Sequence, residues 1–140
     1  MKLVGISICL GLFLLNSPTP STTMAQKSFH VNSVQLSMSP TTLKTWKCGD
    51  HIQVVYHATF NVSSGPSGGT MLFAWTINNG RGQTNAQLTI IPGQTRSEYT
   101  FTWQGALPAD HTHPGVAIVM VTSPNAVESN RVYQTAGCRL

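Results

Sequence analysis

From Ile52 to Val62 the chain alternates. Ile52, Val54, Tyr56, Ala58, Phe60 and Val62 are apolar and share one face, while Gln53, His57, Thr59 and Asn61 lie mostly on the other. A period of two sends successive side chains to opposite faces of a pleat, so this segment is predicted to be a half-buried β-strand. The pattern recurs along the chain. A first strand is predicted over Phe29 to Met38, with a change of parity at Asn32-Ser33 that implies a bulge or bend. A third carries Met71, Phe73, Trp75 and Ile77 on one face and runs into Asn78-Asn79-Gly80, a hairpin signal because Asn-Gly accepts positive φ angles. A fourth covers Thr84 to Ile91 and stops at Pro92-Gly93. The fifth, Glu98 to Trp103, turns Tyr99, Phe101 and Trp103 inward. The sixth, Val116 to Thr122, is apolar on both faces, which implies a central place in its sheet. The seventh is predicted over Arg131 to Ala136.

Seven short strands with little helical periodicity predict an all-β, antiparallel β-sandwich. If strand directions simply alternate, the connections fall at two poles. Cys48, just before the second strand, and Cys138, just after the seventh, then share one pole, and a disulfide between them is expected. Ser63–Gly69, Ile91–Arg96 and Ser123–Asn130 share the other pole.

The N-terminus reads as an address. Lys2 is followed by an apolar run from Leu3 to Leu15, too short for a membrane span and suited to a signal peptide cleaved after Ala25. The expected organisation is a signal peptide over residues 1–25 and one sandwich domain over 26–140, secreted or extracytoplasmic, with no transmembrane segment after processing. Cleavage removes Cys9 and leaves two cysteines from three.

Composition narrows the function. Only 9% of the residues are charged, and Ser, Thr, Asn and Gln supply 46 of the 140. Polarity carried by hydroxyls and amides suits the solvent faces of strands and argues against a coiled coil. The net charge is +4, but its basic residues are scattered, so a nucleic-acid partner is not expected. The four acids are Asp50, Glu98, Asp110 and Glu128, with no compelling pair for general acid–base work.

The strand count, Trp75 in the third strand and Leu107-Pro108 before the sixth resemble immunoglobulin-like and fibronectin-III-like domains. The resemblance is one of fold, over residues 28–138. The cysteines depart from the antibody pattern, since they do not lie on the second and sixth strands.

Several constellations are candidates for chemistry. Asp110-His111-Thr112-His113 and Asp50-His51 fall at the cysteine pole, where His51, His111 and His113 would suit Zn or Cu if they converge. Gly65-Pro66-Ser67-Gly68-Gly69 matches the nucleophile elbow only formally, because that elbow needs a strand before it and a helix after it. Trp75 and Trp103 follow inward parity, whereas Trp46 is a disulfide cover or an exposed contact. Asn61-Val62-Ser63 is a glycosylation sequon. His57 is expected to be an ordinary sheet-surface residue. The expected function is an exported, non-catalytic binding or adhesion module that meets a protein or cell-surface glycan through strand-end loops, with no cofactor. Its expected contact residues are Trp46, Pro66, Ser67, Arg96, Asn125 and Glu128. A metal-binding sandwich and a carbohydrate-binding module are the alternatives.

Overall fold

The computed structural model describes residues 29–77, 82–111 and 114–140. Seven strands follow in order: β1 (His30–Ser39), β2 (His51–Ser63), β3 (Gly69–Thr76), β4 (Thr84–Ile90), β5 (Arg96–Ala106), β6 (Ile118–Ser123) and β7 (Val127–Glu128). They form two antiparallel sheets, one ordered β1-β2-β5 and the other β4-β3-β6-β7. The apolar run Leu3 to Leu15 and the Asn78-Asn79-Gly80 turn lie outside the described residues. Among the described residues no helix is long and apolar enough to cross a membrane.

The alternating residues of β2 do what their period requires. Val54, Tyr56, Ala58, Phe60 and Val62 are buried, and Gln53 and His57 face solvent. The facing residues of β3 and β5 meet them. Phe60 lies against Phe73 with ring centroids 5.0 Å apart, and Phe73 meets Tyr99 edge-on at 5.0 Å. Phe101 is stacked between two rings, Tyr56 at 5.0 Å and Trp75 at 4.3 Å. These aromatic contacts join the two sheets through one core, since large rings bury the most apolar area per side chain.

The expected bulge is present: the β1–β2 register shifts between Val31 and Ser33. β6, apolar on both faces, is central between β3 and β7. The seventh strand is a correction. It lies at Val127–Glu128 rather than Arg131–Ala136, because β6 turns back within three residues and pairs at once, Val121 with Val127 and Met120 with Glu128. Ser129 then interrupts the ladder. Its hydroxyl accepts from the Val119 N–H at 3.0 Å while its own N–H donates to the Val119 carbonyl. Ladder contact resumes at one bridge, Ala117 with Val132. Beyond that the chain leaves the sheet, and its backbone N–H at Thr135 donates to Thr41.

Cys48 and Cys138 form a disulfide, with Cα atoms 5.1 Å apart and a sequence separation of 90. The two cysteines thus share one pole as strand parity predicts, even though the seventh strand is shifted, because only the number of reversals matters.

Candidate functional site

Three regions of the surface combine exposure with organised side chains: the pole with the disulfide, the opposite pole of connecting loops, and the outer face of the four-stranded sheet.

At the disulfide pole, residues 107–111 fold back over the bridge. The Leu107 N–H donates to the Asp50 carbonyl and the Gly49 N–H to the Leu107 carbonyl, which ties the turn to the start of β2. Asp50 closes its own turn by accepting from the Lys47 N–H at 2.9 Å. His111 lies at φ +64°, a left-handed conformation that is uncommon for non-glycine residues. Its Nδ1 is 2.9 Å from the Cys138 carbonyl oxygen and 3.4 Å from Cys48 Sγ. Of the three histidines expected to converge, His111 is the one that joins a ligand-like cluster among the described residues, and its companions are the two cysteines. His51 is exposed at the first residue of β2, opposite Ala106. His113 lies outside the described residues. Trp46 is half-buried against the core, and its carbonyl accepts from the Arg139 N–H. Trp75 and Trp103 also pack on the core.

At the loop pole, the Val62 N–H donates to the Thr95 carbonyl, which links the end of β2 to the approach to β5. Gly68 has φ +63°, and a Cβ there would sit 2.1 Å from the Ile90 carbonyl oxygen, so the first loop is pressed onto the end of β4. Pro66 and Ser67 are exposed at its tip. The other loop residues expected to make contacts are engaged within the molecule. Arg96 pairs with Glu98 at 2.7 Å, and Glu128 with Arg131 at 3.5 Å. Asn125 binds both backbone groups of Val31, each at 2.9 Å. Asn61, the sequon residue, donates its amide to Ser33 Oγ at 2.9 Å. His57 meets Thr100 Oγ1 across the β2–β5 ladder at 3.2 Å, the ordinary role expected for it.

The third region was missed by sequence reasoning. The outward face of β3 and β6 is only partly polar: Leu72, Ala74, Ile118 and Met120 share it with Thr70, Thr76 and Thr122. Thr76 and Ile118 are buried there, Met120 is half-buried, and Tyr133 is 52% exposed beside them. Together with Val116, Glu128 and Arg131 they line a mainly apolar groove of about 360 Å³. The signal was in the two-sided hydrophobicity of the sixth strand, which position in the sheet explained only in part. Leu72, 43% exposed, extends apolar surface along the same face of β3.

Inside the core, the Tyr56 hydroxyl and both amide atoms of Gln134 are buried together. Burial pushes the Tyr56 phenol above its ordinary value, and the Gln134 side chain beside it partly offsets this.

No protein-family model and no curated protein matches this chain. Among solved structures, a β-glucosidase from Erythrobacter marinus aligns at 14% identity and a TM-score of 0.34, over 76% of this chain and 15% of that one. A likeness of that size carries no argument about fold or chemistry.

Proposed function

We propose that this chain is an exported, non-catalytic binding module of immunoglobulin-like, fibronectin-III-like type, and that it holds a protein partner on the outer face of its four-stranded sheet. The fold part of this reading is supported by how the strands are shared out. The first, second and fifth strands form one sheet, and the third, sixth and seventh fall in the other, as in immunoglobulin-like sandwiches. Here the fourth strand lies beside the third.

The groove over β6 and β7 carries the functional part. Solvent-facing strand residues are ordinarily polar, and the outer face of β4 obeys this with Asn85, Gln87 and Thr89. On the outer face of β6 the half-buried Met120 breaks this rule, with buried Ile118 and the exposed Tyr133, which follows β7, beside it and the exposed Glu128–Arg131 pair adjoining. An apolar centre with a charged rim is the arrangement of a protein-binding patch, and tyrosine and arginine are enriched in such patches. The strand-end loops contribute less than expected: Asn125 commits its amide to the Val31 backbone, and Arg96 is paired with Glu98.

The test is selection of a random-peptide phage library on the full chain. Enriched peptides should centre on an aromatic or aliphatic residue. They should lose binding about tenfold or more, roughly 1.4 kcal/mol, on Tyr133→Ala or Met120→Glu. Failure to enrich any peptide, or enriched binding that survives both variants and disappears with Ser67→Ala and Arg96→Ala, would remove the sheet face from the proposal.

A further inference from the structure

We propose that Cys48, Cys138 and His111 form a metal site when the disulfide is reduced, so that one pole of the molecule can be fastened either by a covalent bridge or by a thiophilic divalent ion such as Zn²⁺. One ligand atom from each of the three residues lies within 4.8 Å of the other two. Zinc bound by thiolate at about 2.3 Å and imidazole at about 2.05 Å in tetrahedral geometry separates sulfur and nitrogen by about 3.6 Å. His111 Nδ1 already stands 3.4 Å from Cys48 Sγ. The two sulfurs would need to part to about 3.8 Å, the corresponding tetrahedral edge.

The backbone is shaped to bring the imidazole there. His111 is the one non-glycine residue at positive φ among the described residues, a conformation that a β-carbon makes costly. Gly137, next to Cys138, permits the approach: a Cβ at that position would lie 1.7 Å from the His111 carbonyl oxygen. Strained backbone on one side and a glycine on the other therefore set a histidine against two sulfurs. Cys138 is buried, Cys48 is half-buried and His111 is exposed, so an ion enters from the histidine side. On entry Nδ1 exchanges the Cys138 carbonyl for the metal.

The chemistry balances with a dithiol reductant. The dithiol supplies two electrons and two protons to the bridge and becomes a disulfide, while Cys48 and Cys138 become thiols. Zn²⁺ then displaces the two thiol protons and takes two thiolates, the neutral imidazole and one water.

The full chain, reduced with a phosphine that is removed under anaerobic conditions, is titrated with Co²⁺. One Co²⁺ per chain with a thiolate-to-cobalt charge-transfer band, displaced by Zn²⁺ and absent from the oxidised chain, is the expected result. His111→Asn tolerates positive φ but removes the imidazole. Loss of a direct ligand should weaken Co²⁺ binding by at least the 10–100-fold typical of losing an outer partner. Three results would overturn the proposal: no thiolate band, unchanged affinity in His111→Asn, or loss of the near-ultraviolet circular dichroism of the fold on reduction before metal is added.

Discussion

Asn130 holds Leu36 by both of its backbone groups, accepting from its N–H at 2.7 Å and donating to its carbonyl at 2.8 Å. Asn125 does the same to Val31, and in both pairs the partners are 94 residues apart. Residues five apart on a regular strand point their backbone groups to opposite edges. The β1 bulge between Val31 and Ser33 adds one residue and turns both toward the same edge, where the two asparagines stand in for a missing strand. An unpaired edge is a template for aggregation, and here side-chain amides occupy it. Asn130→Ala removes two hydrogen bonds and should cost about 1–3 kcal/mol in urea unfolding. The double variant Asn125→Ala/Asn130→Ala should also increase aggregation, read by light scattering.

Tyr56 should give the stability curve an alkaline slope. Its folded pKa is raised, so the folded state holds the phenolic proton more tightly than the unfolded chain does. Its contribution is complete below the ordinary tyrosine pKa of about 10 and is lost as pH rises from there through the folded value. Tyr56→Phe should flatten stability above pH ~10 relative to the native chain, measured by urea unfolding across that range.

Phe73 touches rings from both neighbours in the opposing sheet, Phe60 and Tyr99. Phe73→Ala should cost about 3–5 kcal/mol, because the facing rings cannot collapse into the space. Phe73→Leu should retain the fold with a smaller loss. Chemical denaturation of the two variants tests the order.

The Cys48–Cys138 bridge closes a loop of 90 residues. Chain entropy values such a loop at about 4–5 kcal/mol. Cys48→Ser/Cys138→Ser should lower the unfolding free energy by up to that amount in chemical denaturation, with the dichroism of the β-sheets preserved under native conditions.

Much of this architecture was legible in the chain because its cause is local. The period of two over Ile52 to Val62 allows one face of β2 to be buried and no other. The parity change at Asn32-Ser33 records the bulge directly. The cysteine pairing required only a count of reversals. The seventh strand was misread because Val132 and Gln134 alternate as a strand would, whereas Val127–Glu128 is too short to show a period. Gln134 is buried against Tyr56 across the molecule, a contact no local pattern contains. The metal candidates divided for the same reason: spacing brought His111 to the correct pole, but its contact with Cys48 and Cys138 depends on the Gly137 approach.

The sequence by itself determined that the described chain is all-β, which residues of each strand turn inward, and that Cys48 meets Cys138. Those properties follow from alternation and reversal, which neighbouring residues encode. Only the tertiary structure decided that Asn125 and Asn130 close the β1 edge, that Ile118, Met120 and Tyr133 share one open groove, and that His111 rests on the disulfide. Each is a meeting of residues far apart in the chain, set by the strand orders β1-β2-β5 and β4-β3-β6-β7 and by close backbone approach rather than by any periodic signal.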